Sequence, residues 1–329
     1  MPNLRWGILS TANIGRAAVI PAIHASSNGR LTAVASRTAA AARDFAAANG
    51  IPAHYGSYDA LLQASDVDAI YIPLPNGLHR EWTIKAAERG KHILCEKPLA
   101  LTAAECHEMA AAARANGVTL MEAFMYRFHP QIARAETLIR DGAVGALKSI
   151  RSVFTFRLTK PGNIRLDAAL GGGALMDVGC YCVNVSRTLA GREPVEVQAW
   201  ATFGPTGVDL ELAGSLRFED GLVAQFDCAL TMERREYVEV AGTAGSLELR
   251  RAFLPGITDT DVVQHRGREP SIEHQVTGDD EYRLMVEHFA DCALHGRPVR
   301  YPAGEAAANL RVIEALYRSA RHGGQPMTL

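Results

Sequence analysis

The chain predicts an α/β protein: an N-terminal doubly wound parallel sheet, then an α+β region built on a large, mainly antiparallel open sheet. Three observations carry this. Over the first third, short apolar runs alternate with Ala-rich helical stretches, the β-α-β-α order that makes parallel sheets. From about residue 147 the pattern becomes apolar–polar alternation, the mark of antiparallel strands with one wetter face. At 329 residues the chain exceeds what one core usually holds. Two domains are expected, 1–122 carrying the parallel sheet and 123–329 the antiparallel one.

In the first region the strand candidates are Leu4–Leu9, Leu31–Ser36, Val67–Ile72, His92–Cys95 and Val118–Met121. Helical segments lie between them near Ile14–Ala25, Ala39–Asn49, Leu78–Arg89 and Ala103–Asn116. In the second region, Val195–Ala199, Leu222–Cys228, Val238–Val240 and Leu247–Leu249 alternate with period two. Turn signals Glu219-Asp220-Gly221 and Gly242-Thr243-Ala244-Gly245 separate strands. One helix interrupts this sheet after Gly171-Gly172-Gly173, and helices near Glu281–His295 and Gly304–His322 close the chain.

Composition narrows the function. Hydrophobic content is 48%, charged content 21% and net charge −2, so no basic field points to nucleic acid or an anionic membrane surface. No apolar run reaches membrane-spanning length, and the start has no signal-peptide core; the expectation is a cytoplasmic protein. The six cysteines have no C-x-x-C spacing and the eleven histidines no H-E-x-x-H cluster. Free buried thiols and no metal are expected.

In a doubly wound sheet, ligands collect beyond the carboxyl ends of the strands. The first such turn is Gly7-Ile8-Leu9-Ser10-Thr11-Ala12-Asn13-Ile14-Gly15. Set against the Rossmann pattern G-x-G-x-x-G, its three positions are Ser10, Ala12 and Gly15, so the bare match is weak. The replacements are small and preserve close backbone approach to a phosphate at the helix N-terminus. An ordinary tight strand–helix turn fits the residues as well. After the second strand, Ala35-Ser36-Arg37-Thr38 lacks the Asp or Glu that usually meets a free ribose 2′-OH. Arg37 suits a 2′-phosphate, with Ser36 and Thr38 donating further hydrogen bonds, which favours NADP over NAD. After the third strand comes Pro73-Leu74-Pro75-Asn76-Gly77-Leu78-His79. Asn76 there suits a helix cap, a place over the nicotinamide, or both.

Glu96-Lys97-Pro98 follows the apolar run His92–Cys95, which puts a mobile ammonium where cofactor and substrate meet. Alone, the tripeptide reads equally as a surface loop. Asp177 and Tyr181, in the helix after the three glycines, are four residues apart and share a face. An acid in a first turn and a packed tyrosine explain them without function. The alternative is a proton-transfer pair whose phenol faces Lys97. Trp200 lies out of phase with Val197, Ala199 and Ala201, so it projects onto the second face of the sheet. That face is expected to be covered, by a second copy in a homodimer or higher homo-oligomer or else by the chain's own terminal helices.

Together, and in this order, five segments give the chain a recognisable signature. They are the Gly7–Gly15 turn, Glu96-Lys97-Pro98, Tyr126-Arg127-Phe128-His129-Pro130, Asn163-Ile164-Arg165 and Gly171–Tyr181. Over essentially its whole length the chain resembles the glucose–fructose oxidoreductase/inositol dehydrogenase (Gfo/Idh/MocA) family. Ser10-Thr11-Ala12, Ser36-Arg37 and Gly179-Cys180-Tyr181 are similar to its NADP-dependent D-xylose 1-dehydrogenase and dimeric dihydrodiol dehydrogenase branch. The resemblance implies hydride transfer at a carbinol or carbonyl of a sugar or cyclic polyol, with Lys97 and Tyr181 catalytic. It implies NADP held by Ser10, Thr11, Ala12, Asn13 and Ile14, by Ser36 and Arg37, and by Pro73, Leu74, Asn76 and His79. Glu96, Lys97 and Arg165 complete the cofactor set, while Arg127, Asn163 and Tyr181 face substrate. Many relatives carry histidine where this chain has Tyr181, which makes inositol dehydrogenase chemistry the poorer fit.

A carbinol that loses hydride must lose a proton too, so a general base is needed. Tyrosine ordinarily ionises near pH 10, and a neighbouring ammonium favours its phenolate. Tyr181 is therefore read as acid/base, Lys97 as the group that tunes it, and Asp177 as an orienting carboxylate. Reduction of ketosugars, oxidation of trans-dihydrodiols and a noncatalytic NADP-binding regulator are the other readings.

Overall fold

The computed structural model describes residues 3–329. The chain forms two compact units, one comprising everything up to Met125 with Asp280–Ala308, the other Tyr126–Asp279 with Asn309–Leu329.

The first unit is a six-stranded parallel sheet of order β3-β2-β1-β4-β5-β6. Its strands are β1 (Leu4–Leu9), β2 (Gly29–Ala35), β3 (Ala53–Tyr55), β4 (Ala69–Ile72), β5 (His92–Cys95) and β6 (Leu120–Glu122). Between them run α1 (Ile20–Ala25), entered through a wide π turn at Gly15–Val19, then α2 (Ala39–Asn49), α3 (Tyr58–Leu62), α4 (His79–Glu88) and α5 (Ala103–Ala115). β4 is buried along its whole length, as a sheet covered on both faces requires. The helices start where short polar side chains satisfy first-turn N–H groups. Thr38 accepts from Ala41 N at 3.3 Å, Ser57 from Ala60 N at 3.2 Å and Thr102 from Glu105 N at 3.2 Å.

This unit also takes in the helix Glu281–His295, which the expected split at 122/123 had assigned wholly to the second domain. Its Phe289 lies 5.2 Å from the fully buried Trp6 of β1. Glu287 accepts from the backbone N and Oγ of Ser27 at 2.8 and 3.0 Å. Amphipathicity declares that a helix has an apolar face but not which sheet receives it.

The second unit is a nine-stranded sheet of order β14-β13-β12-β11-β7-β10-β9-β8-β15, in which only β7 and β10 pair parallel. Its strands are β7 (Leu147–Arg157), β8 (Glu196–Phe203), β9 (Asp209–Arg217), β10 (Val223–Ala229) and β11 (Thr231–Gly242). The rest are β12 (Ser246–Leu249), β13 (Thr260–His265), β14 (Ile272–Val276) and β15 (Met327–Thr328). Its helices are α6 (Pro130–Arg140), α7 (Cys180–Ala190) and the part of α9 (Ala303–Arg321) from Asn309 onward, the helix at Glu281–His295 being α8. One sheet face is apolar, with Ile150, Ala224, Phe226, Leu212, Leu216, Val238 and Val240 at most 5% exposed. Here α7 packs on β7 and β10. Gly214 has no side chain because a Cβ would lie 2.8 Å from Phe226 and 3.1 Å from Leu316 of α9.

The other face is wet. Trp200 is 55% exposed there, opposite Ala213, as its phase predicts. It borders a groove of about 490 Å³ with Arg151, Gln198, Gln225, Asp227 and Tyr237. The helices α7 and α9 cover the apolar face; on this one the turn after α9 reaches only the edge, where Gly324 lies against the Trp200 indole and accepts from Gln198 Nε2 at 2.6 Å.

Candidate active site

In the first unit the expected cofactor residues converge at the carboxyl ends of β1, β2, β4 and β5. Ser10 has φ +122°, a conformation that glycine adopts freely and other residues at a cost of about 1–3 kcal/mol. Its hydroxyl offsets this by accepting from Ala12 N at 3.1 Å and donating to Pro73 O at 3.3 Å. Serine thus performs the turn of the pattern's first glycine while tying it to the loop after β4. Around Gly15 a Cβ would meet Ile8 and Tyr71 only at 3.9 Å, so the helix has ordinary clearance over the sheet. The first-turn N–H groups of the helix that begins at Asn13 suit a pyrophosphate. At the end of β2, Ser36 is buried and hydrogen-bonds through its backbone N to Tyr55 O at 3.1 Å, while Arg37 is exposed. These residues fit a dinucleotide bearing a 2′-phosphate.

Asn76 does not cap α4 in the way its spacing suggested. A 3₁₀ turn, Asn76–Leu78, precedes that helix, and neither segment has a side-chain cap. Capping therefore gives no account of Asn76. His79 also lies elsewhere than expected. It is fully buried, with Nε2 2.8 Å from Leu74 O and Nδ1 3.0 Å from Pro98 O. Its ring nitrogens serve the two loops rather than a cofactor.

Lys97 rides a loop held from several sides. Glu96 N donates to Ile72 O at 3.1 Å. The buried Tyr71 donates its hydroxyl to Glu96 Oε1 at 2.6 Å, and Lys97 N donates to Glu96 Oε2 at 3.2 Å. Burial, and then the Glu96 charge, push the Tyr71 phenol well above its ordinary pKa, so it remains a donor. Lys97–Pro98 is a cis peptide, and Leu99 N donates to the buried Glu122 Oε1 at 2.8 Å. Glu96, expected on the cofactor, thus props the loop that presents Lys97. Glu122 and Tyr71 escaped the sequence reading. The one signal for Glu122 is a carboxylate placed directly after the apolar run ending at Met121.

In the second unit, Asp177 lies in a π turn, Leu175–Gly179, that leads into α7, and Tyr181 is the second residue of α7. Gly173, at φ +121°, lets this turn start close to β9, since a Cβ there would collide with the Asp209 carboxylate and the Tyr317 hydroxyl. Asp209 accepts from Leu175 N at 2.7 Å and from Tyr317 OH at 2.6 Å, which seats the helix start on the sheet. Its pKa is raised, burial outweighing these donors. Arg165 Nε donates to Asp177 Oδ2 at 2.5 Å, and the Arg165 guanidinium lies 5.7 Å from the Phe156 ring. Arg165, expected on the cofactor, is therefore also the partner of Asp177. Asn163 accepts from Arg165 N at 3.0 Å through Oδ1, shaping the turn before it.

Tyr181 is 6% exposed within an aromatic cage. Ring centroids lie at 5.2 Å for Phe154, 5.4 Å for Phe253 and 5.7 Å for Tyr126. Phe154 and Phe253 stack at 5.2 Å, and Tyr126 donates to Asn184 Oδ1 at 2.6 Å. Arg127 follows Tyr126 in the turn Met125–Phe128. Phe154 and Phe253 were not expected at the site. Phe154 shares the inward phase of Ile150 on β7, but Phe253 lies in an irregular stretch with no periodic signal.

Two family models match the chain in register with this architecture: an oxidoreductase family with an NAD-binding Rossmann fold over residues 4–124, and a GFO/IDH/MocA C-terminal domain over residues 132–248. The chain belongs to the Gfo/Idh/MocA oxidoreductase family. It is an enzyme of that oxidoreductase class. A D-xylose 1-dehydrogenase (NADP(+)) of Haloferax volcanii is 41% identical over 322 residues, covering 97% of this chain and 98% of the relative. Among solved structures, an aldose–aldose oxidoreductase from Caulobacter crescentus, complexed with glycerol, superposes with TM-score 0.91 at 31% identity. It covers 99% of this chain and all (100%) of that one. A 3-ketoreductase from Actinomadura kijaniata, in complex with NADP and TDP-benzene, gives TM-score 0.92 at 29% identity, covering 96% and 98%.

Proposed function

We propose that this Gfo/Idh/MocA protein is an NADP-dependent sugar dehydrogenase that oxidises the anomeric carbinol of an aldose such as D-xylose. The observation that carries the reading is near full-length likeness to an NADP-dependent xylose dehydrogenase, in a chain that keeps Lys97, Asp177 and Tyr181. Ser10 to Ile14 hold the pyrophosphate, Ser36 and Arg37 the 2′-phosphate, and Pro73, Leu74 and Asn76 the nicotinamide end. Bound NADP accepts the hydride, which is cofactor chemistry. Tyr181 takes the carbinol proton as the carbon is oxidised, and the Lys97 ammonium stabilises the phenolate that does so. Arg165 aims the Asp177 carboxylate, which orients a substrate hydroxyl. Arg127 and Asn163 complete the sugar contacts.

Two further features belong to this reading. A second copy covers the open sheet face: Trp200 is 55% exposed there, and Arg151 and Asp227 share its groove. One face carrying both charge signs suits a two-fold interface. Light scattering reads the assembly, and a stable monomeric mass would remove it. All six cysteines are free and buried, the state of a reducing compartment, and no described helix is long and apolar enough to cross a membrane. We place the enzyme in the cytoplasm.

The test is a panel of aldoses, ketosugars and trans-dihydrodiols with NADP, read by absorbance of the reduced or oxidised cofactor. Aldoses should turn over best. Turnover confined to dihydrodiols or ketosugars would reassign the substrate, and NADP binding with no turnover would make the protein a regulator.

A further inference from the structure

We infer that Gln131 is a positioning residue: it holds the irregular segment that carries Phe253 and so sets the ring packed on Tyr181. Phe253 meets each of the other three rings of the cage. It stacks on Phe154 at 5.2 Å and lies edge-on to Tyr126 and Tyr181 at 5.4 Å each. Yet Phe253 belongs to no strand or helix, lying between β12 and β13. Outside regular structure no backbone ladder fixes the chain, so a ring there keeps its place only if other groups hold the peptide units beside it.

Gln131, the second residue of α6, supplies that hold. Its Nε2 donates to Arg251 O at 2.9 Å and to Ala252 O at 3.2 Å, the second carbonyl belonging to the peptide that leads into Phe253. Neither carbonyl accepts another hydrogen bond among the described residues. The backbone from which Gln131 reaches is fixed too, since His129 caps α6 and its Nδ1 accepts from Gln131 N at 3.2 Å. Carbonyls only accept, so the amide presents its nitrogen to them. The side chain is fully buried, and its Oε1 has no partner among the described residues. A buried amide with one atom unmet is a poor choice for stability alone. What it has that an apolar side chain of equal length lacks is two N–H groups on one rigid plane. They fix two consecutive carbonyls at once, and with them the point at which the chain enters Phe253.

The inference rests on the reading of Tyr181 as the proton-transfer group, and the experiment separates the two. Gln131→Met keeps the length and removes both donors; Gln131→Glu sets acceptors against the two carbonyls. Expected in each is a fall in kcat with D-xylose of about 10–10²-fold, the scale of ångström-sized misplacement. NADP affinity and stoichiometry by calorimetry should match the parent, as should far-ultraviolet circular dichroism. A double-mutant cycle shows whether Gln131 acts through Phe253. With Phe253→Leu in place, adding Gln131→Met should lower kcat by less than about twofold, because the ring to be positioned is gone. Parent-like kcat in both Gln131 variants, a fall in kcat that only follows a fall in NADP stoichiometry, or losses that multiply in the double variant would overturn the inference. Full turnover by Tyr181→Phe would instead remove the acid/base reading. The near-ultraviolet circular dichroism of the ring cluster judges the hold on Phe253 separately: Gln131→Met should weaken it in the Tyr181→Phe background as well, and an unchanged signal there would also overturn the inference.

Discussion

The Lys97 loop and the Tyr181 cage hold the two side chains of the proposed mechanism by opposite means. Lys97 is placed through its backbone: Glu96, Glu122 and His79 grip the peptide units around it, all by hydrogen bonds. Tyr181 is placed through its side chain, by three aromatic rings from β7, the turn after β6 and the stretch after β12. Hydrogen bonds to backbone fix a loop from which a long side chain projects. Ring packing fixes the side chain itself and excludes water from it. A charge that must reach a substrate suits the first arrangement, and a proton-transfer group that must stay in one geometry suits the second.

Substitutions sharpen this contrast. The largest expected effect is Lys97→Met, which should nearly abolish turnover while NADP affinity stays close to that of the parent by calorimetry. Tyr181→Phe keeps the cage filled and removes only the hydroxyl, so kcat should fall by about 10²–10⁴-fold with the melting curve unchanged. Phe253→Ala does the reverse: about 3–5 kcal/mol of stability is lost by the opened cage, read by urea unfolding. Were Phe253→Ala to lose activity without stability, the cage would be chemical rather than structural. The smallest effect concerns Ser10. Ser10→Ala keeps the strained φ and loses both side-chain hydrogen bonds, costing about 1–2 kcal/mol. Ser10→Gly relieves the strain as it loses them, and should fall within about 1 kcal/mol of the parent. Equal losses in both would show that φ at Ser10 carries no strain.

The same contrast explains what the amino-acid sequence discloses. Glu96-Lys97-Pro98 is visible because a short apolar run and a proline mark where a strand stops, and strand ends are where parallel sheets bind ligands. Arg37 is visible because the position is defined by what it lacks, a carboxylate. The helix at Glu281–His295 is read to the residue, yet its dock on Trp6 is hidden. β3 and α3, of three and five residues, are too short to show a period. The Tyr181 cage is the least visible part, because Phe253 joins it from an irregular segment and such contacts leave no spacing to read. Backbone-held chemistry announces itself locally; packing-held chemistry appears only with the tertiary fold.

The central claim is that Lys97 and Tyr181 act on one proton, and a double-mutant cycle tests it most directly. The cycle takes kcat/KM for NADP and D-xylose in the parent, Lys97→Met, Tyr181→Phe and the double variant. Groups that act as a unit give non-additive losses, so the double variant should be about as slow as the worse single one. Losses that multiply in the double variant would show two independent contributions and contradict the pairing.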